Sequence, residues 1–154
     1  VYAANSKVAP KYEYVATLDS KTTPICQRLD GQQFEYNKGP TPPQHFNCRS
    51  TTVPVVDFDG LQEKYPGLEK PPETALDTRP SMTGRVPQGQ AYGDWLLNQK
   101  KELQIKTLGN EQRVRFFKTL AGKKGSSGQK ALRQIIRSDG TEKTLDQIKK
   151  EYKL

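Results

Sequence analysis

The rhythm of apolar and polar positions changes twice along the chain. Residues 11–18, Lys-Tyr-Glu-Tyr-Val-Ala-Thr-Leu, roughly alternate apolar with polar among β-branched and aromatic types, which predicts a strand. Asp19–Pro24 reads as a turn. Ile25–Leu29 reads as one helical turn closed by Asp30-Gly31, and Gln33–Tyr36 as a second short strand. Gly39-Pro40 and Pro42-Pro43 make 37–43 a loop. Thr51–Val56 is a third strand, at an edge or interrupted, because Pro54 has no ladder donor. From Asp57 to Gln90 the apolar content falls while five prolines and four glycines appear. That stretch predicts an extended arm or linker without a core of its own.

Beyond residue 90 the period becomes helical. Tyr92, Trp95, Leu96, Gln99 and Leu103 share one face, with Asp94 as the expected N-cap and Gly109 as the stop. Asn110 caps a second helix, whose Val114, Phe117 and Leu120 form a stripe ending at Gly122. Gly122 to Gly128 reads as a flexible basic linker, with no Gly-Lys-Ser/Thr to complete a phosphate loop. Lys130–Arg137 is a short helix with Leu132, Ile135 and Ile136 on one side. Ser138-Asp-Gly140 turns the chain, and Thr144-x-x-Gln147 is a capping box opening a last helix lined by Leu145, Ile148 and Tyr152. The fold class is α+β. A small mixed or antiparallel sheet occupies the N-terminal half and short helices the C-terminal half, in stretches 1–56, 57–90 (the Pro-rich arm) and 91–154.

Composition sharpens this picture. The 154 residues suit about one domain, and a mean hydropathy of −0.87 predicts a small core with solvated segments. No apolar run approaches the roughly 18 residues of a membrane span, so a membrane partner is not expected. No signal peptide is visible and there is no initiator Met, so the chain reads as a processed or excised piece of something longer. Charge is uneven: the net +8 lies in residues 91–154, whereas 1–90 is neutral and holds all 11 prolines. Two cysteines are too few for a disulfide scaffold, and a single histidine removes any multi-His metal site or triad not built around His45.

The most concentrated chemistry is Thr23-Pro-Ile-Cys26 followed by Pro42-Pro43-Gln-His45-Phe-Asn-Cys48-Arg49-Ser50. Cys26, His45 and Cys48 are one ligand short of a closed structural zinc site, and Asp19 or Asp30 is a candidate fourth. Four readings stand open: buried reduced thiols, a Cys26–Cys48 disulfide, a zinc site, and a nucleophilic Cys48 served by His45. Otherwise His45 is a loop histidine bonded to nearby backbone, and Arg49 holds a carboxylate or loop carbonyls. No cofactor beyond zinc is suggested. Asp57 and Asp59 read as a solvated loop pair.

Asp19-Ser-Lys-Thr-Thr-Pro-Ile-Cys26, Leu29-Asp30-Gly31 and Pro42-Pro43-x-His45-x-Asn47-Cys48-Arg49 together resemble the phage Mu F-like head-morphogenesis domain. That domain occurs in minor head proteins of tailed bacteriophages and prophages. The likeness continues in Tyr92-Gly-Asp-Trp95-Leu96, Leu108-Gly109, Arg113, Phe116 and Thr144-Leu-Asp-Gln-Ile148, covering about 11–56 and 91–148. Many members carry Cys-x-x-Cys at the first site and Cys-Arg-Cys at the second, a set resembling a zinc site or a disulfide pair; here Thr23 and Ser50 stand at the outer positions.

The resemblance implies a non-enzymatic minor capsid protein, corresponding to the C-terminal part of such a protein. It implies association with the portal and other head proteins, a place in the virion interior near the portal vertex, and assembly in the host cytoplasm. Lys100, Lys101, Lys106, Arg113, Arg115, Lys118, Lys123, Lys124, Lys130, Arg133 and Arg137 are the candidates for non-specific contact with double-stranded DNA or an acidic partner. The rival readings are a nuclease or toxin-like enzyme and a free DNA-binding module. Residues 91–154 contain no His or Cys, and no general acid–base pair presents itself there.

Overall fold

A computed structural model describes residues 6–72 and 77–154. Strand β1 (Lys11–Val15) is the centre of a three-stranded antiparallel sheet between β2 (Gln33–Glu35) and β3 (Thr51–Val55). Tyr12, Tyr14, Ala16 and Leu18 are buried, which is the period-2 face anticipated from the sequence. Pro54 lies opposite Tyr12 on β3, the outer strand, where its missing N–H breaks no ladder. Helix α1 (Pro24–Leu29) follows β1, with Pro24 in its first turn and Cys26 and Leu29 buried.

The arm is not structureless. Helix α2 (Phe58–Lys64) is capped by Asp57, whose side chain accepts from the Gly60 amide, and Asp57 and Asp59 are both solvent-exposed, with Asp59 inside the helix rather than in a loop. None of the residues of α2 is buried. Strands β4 (Thr78–Ser81) and β5 (Gly84–Pro87) then form a hairpin. It docks on the end of the first sheet, where Leu18 bridges Ser81 and the Met82 amide donates to the Leu18 carbonyl. Arg79 points inward from β4 and is buried.

Five helices complete the chain: α3 (Tyr92–Leu97), α4 (Lys101–Leu108), α5 (Glu111–Ala121), α6 (Gly128–Ile135) and α7 (Leu145–Tyr152). Their apolar faces bury Tyr92, Trp95, Leu96, Leu108, Val114, Phe117, Leu120, Leu132, Ile135 and Ile148 in one cluster that also takes Leu18. Asn110 caps α5 and Thr144 forms the capping box of α7, as the sequence indicates. Gly109 turns with φ 89°, the left-handed region that suits glycine.

Two expectations fail at the start of this half. Asp94 is not the N-cap of α3: the helix starts at Tyr92, whose amide donates to Asp30 at 2.7 Å, while Asp94 accepts from the Gly128 amide at 2.7 Å. The single helix expected to run to Gly109 is broken after Leu97. Gln104 donates to the Leu96 and Leu97 carbonyls, and Asn98 and Gln99 bond back to Asp94 and Trp95, so side chains satisfy the carbonyls that a continuous helix would pair. Helices α3 and α6 meet backbone to backbone at Gly93 and Gly128, where a Cβ on either residue would overlap the other's main chain. Among the described residues, no helix is long and apolar enough to cross a membrane.

Candidate functional site

Three elements converge on the thiols. Cys26 comes from α1, His45 and Cys48 from the loop between β2 and β3, and Tyr14 from β1 beneath them. In the loop, Asn47 adopts φ 58° and the Cys48 amide donates to the His45 carbonyl at 3.2 Å. This tight turn carries His45 and Cys48 to one side and leaves Phe46 92% exposed. Asn tolerates that left-handed backbone better than most residues. The loop is moored at both ends: Tyr12 donates to the Pro40 carbonyl at 3.0 Å, and Thr17 donates to the Arg49 carbonyl at 3.1 Å.

The resulting distances are short. Cys26 Sγ lies 3.3 Å from His45 Nε2 and 3.8 Å from Cys48 Sγ, and the three donor atoms all fall within 4.8 Å of one another. Both cysteines are free thiols. The Tyr14 hydroxyl is 3.3 Å from Cys26 Sγ and 4.0 Å from Cys48 Sγ. His45 Nδ1 is 2.8 Å from the Phe46 carbonyl. A carbonyl only accepts, so Nδ1 carries the proton and the Nε2 lone pair faces Cys26.

Burial raises the Cys48 thiol, but hydrogen bonds from the Gln44 and Ser50 backbone, the Ser50 side chain and Cys26 outweigh it and bring it down to about 6. Burial, reinforced by the Cys26 contact, pushes the Tyr14 phenol well above its ordinary range. Tyr14 therefore stays a neutral hydroxyl.

Neither candidate fourth ligand joins the cluster. Asp19 holds Arg49 through both carboxylate oxygens and accepts from the Lys21 and Thr22 amides. Arg49 thus finds the carboxylate expected for it. Asp30 is fully committed elsewhere, to the Ala16 and Tyr92 amides and to Arg79. A cavity of about 20 Å³ adjoins Cys26 and His45, lined also by Thr17, Thr22, Asn47 and Ser50.

A family model described as Phage Mu protein F like protein matches residues 2–53. This chain carries a Mu F-like segment. It includes Cys26, His45, Cys48 and Tyr14, so the whole cluster lies inside the matched span. The match ends at residue 53 and does not extend to the likeness expected across 91–148. No curated protein and no solved structure matches the chain.

The basic candidates lie outside the Mu F-like segment and divide by environment. Lys100, Lys101, Lys106, Arg115, Lys118, Lys123, Lys124 and Lys130 are exposed on α4, α5, α6 and the connections beside them. Lys101 pairs with Glu111, and Lys130 reaches the Gly125 carbonyl. Arg113, Arg133 and Arg137 are tied into the fold. Arg113 faces Glu142, Arg133 donates to the Arg28 and Asp30 carbonyls, and Arg137 holds Thr141, Glu142 and Gln147.

Tyr14, Arg79 and Arg28 were not singled out from the sequence. Alternation along β1 places Tyr14 on the same face as its buried neighbours and is a signal for it. A buried arginine inside a proline-rich arm has no local signal at all.

Proposed function

We propose that this protein is a non-enzymatic minor head component of a tailed phage or prophage, acting in head morphogenesis on the interior side of the capsid near the portal. The observation that carries the reading is the Mu F-like match across residues 2–53. It is supported by the convergence of that segment's buried Cys26 with the half-buried His45 and Cys48 in one cluster, since residues so far apart in sequence meet only if the segment folds as a unit. Within the head its partners are the portal and neighbouring head proteins.

The exposed lysines of α4, α5 and the Gly122–Gly128 connection add a sequence-independent affinity for packaged double-stranded DNA. Phosphate charge rewards such a surface without requiring base readout. The test is quantitative mass spectrometry of purified particles: the chain is expected at a low fixed ratio to the portal protein and in the DNA-filled head fraction. Its absence from particles overturns the reading. Hydrolysis of DNA, RNA or a dinucleotide by the purified chain, lost on His45→Ala or Cys48→Ser, favours the enzymatic alternative.

A further inference from the structure

We propose that Cys26, His45 and Cys48 bind one zinc-class cation through three protein ligands, with the fourth coordination position open to solvent. The distances carry the first half of this statement. A tetrahedral ion with metal–sulfur bonds of about 2.3 Å sets its two sulfurs about 3.8 Å apart, and a sulfur–nitrogen edge is about 3.6 Å. The Cys26–Cys48 sulfurs stand 3.8 Å apart, and Cys26 Sγ lies 3.3 Å from His45 Nε2. A disulfide needs the same sulfurs to approach to about 2.0 Å, so the site is spaced for an ion between the sulfurs rather than a bond.

The donor chemistry agrees. Two thiols and an imidazole suit a soft or borderline d¹⁰ cation and disfavour calcium or magnesium, which take oxygen. The imidazole is also already oriented. Its Nδ1–H donates to the Phe46 carbonyl at 2.8 Å, the outer-shell bond that fixes a metal-binding histidine with Nε2 free.

The open position follows from what surrounds the tripod. Among the described residues no carboxylate joins these three ligand atoms, because Asp19 and Asp30 are held elsewhere. A structural zinc site is closed by a fourth protein ligand, whereas three ligands leave one place for water. The 20 Å³ cavity beside Cys26 and His45 exceeds the roughly 10–15 Å³ that one water requires, and the Thr17, Thr22 and Ser50 residues that line it can bond that water. Thr23, three residues before Cys26, has a buried hydroxyl with no hydrogen-bond partner. A cysteine there would complete a Cys-x-x-Cys pair of metal-binding spacing.

Cobalt(II) is the probe, added to the full-length chain purified reduced and metal-free. One equivalent should bind, with thiolate-to-cobalt charge-transfer absorption and tetrahedral d–d bands, and Zn²⁺ should displace it. Azide should shift the d–d bands, because it enters the open position. Cys26→Ser and Cys48→Ser should each weaken cobalt binding and cut the charge-transfer intensity by at least half, with circular dichroism confirming that the fold is kept. Thr23→Cys should raise the charge-transfer intensity by about half, as a third thiolate joins, and remove the azide response.

Failure to bind cobalt when both thiols titrate as free overturns the proposal. So does undiminished binding by Cys48→Ser, or a native mass two hydrogens lighter with no metal, which identifies a disulfide. An azide-insensitive parent spectrum overturns the open position. None of these outcomes depends on whether the chain is found in particles.

Discussion

Asp30 and Arg79, 49 residues apart, meet in a bidentate ion pair with both N···O distances at 3.0 Å, and both are buried. The Asp30 carboxylate also accepts the Ala16 amide at 2.6 Å and the Tyr92 amide at 2.7 Å. The arginine in turn donates to the Ala16 and Gln90 carbonyls. One carboxylate thereby joins the first sheet, the arm and the first helix of the C-terminal half, and it supplies the cap that α3 lacks in its own sequence.

Breaking this pair is expected to cost different amounts from its two ends. Asp30→Ala strands a buried guanidinium and two buried amides, and should cost about 3–5 kcal/mol. Arg79→Met leaves Asp30 with its two amide donors and should cost less. Urea denaturation of the two variants measures the order; equal losses would mean that the amides contribute nothing.

Gly93 and Gly128 set the approach of α3 to α6. Gly93→Ala and Gly128→Ala should each destabilise by about 1–3 kcal/mol or more, because the added methyl meets main chain that cannot turn away. The double variant should cost less than the sum, since one displacement of the helices relieves both overlaps. Thermal melts of the three variants test this.

Burial of Asp19 raises its carboxyl, but the bonds from Arg49, the Lys21 amide and Thr22 outweigh it and hold the group below the usual carboxylate range. A depressed folded-state value contributes stability that is complete above the unfolded value, about 3.9, and is lost as pH falls through the folded one. Asp19→Asn should therefore lower the melting temperature at pH 7, and the gap should close as the pH is taken below ~3. A gap independent of pH would exclude the charge as its source.

DNA affinity, if it resides on the exposed lysines, should fall linearly with salt on logarithmic axes. Lys100, Lys101, Lys123 and Lys124 are all exposed, so reversing them to Glu should flatten that slope without altering the circular dichroism spectrum. Filter-binding titrations at several salt concentrations measure it. A quadruple variant that binds like the parent assigns the surface to a protein partner.

Legibility of the sequence followed the range of the interactions. Period-2 alternation marked β1, capping residues marked the starts of α5 and α7, and Gly109 marked a stop, because each signal lies within a few residues of its effect. The start of α3 was misplaced because its cap, Asp30, lies 62 residues away. The arm looked featureless because the hairpin 78–87 is held by Leu18 and by the buried Arg79, which no local pattern announces. At the site, the residue types and spacing brought out Cys26, His45 and Cys48. The neighbouring Tyr14, the contact of His45 Nδ1 with the Phe46 carbonyl and the prior engagement of Asp19 and Asp30 became visible only in three dimensions.

Helix α1 is only six residues long, yet it faces two ways. Cys26 looks to the sulfur cluster, while Arg28, two residues on, donates to the Arg133 and Ile136 carbonyls at the carboxyl end of α6. The Arg133 carbonyl is one of the orphan acceptors that a helix end must satisfy, and here a residue over a hundred positions away satisfies it together with the carbonyl of the flanking Ile136. So short a segment has no interior slack to absorb a shift of its sulfur-bearing side. Oxidation or alkylation of Cys26 would accordingly be heard at the far end of α6, as faster deuterium uptake at Ile136 and Arg137.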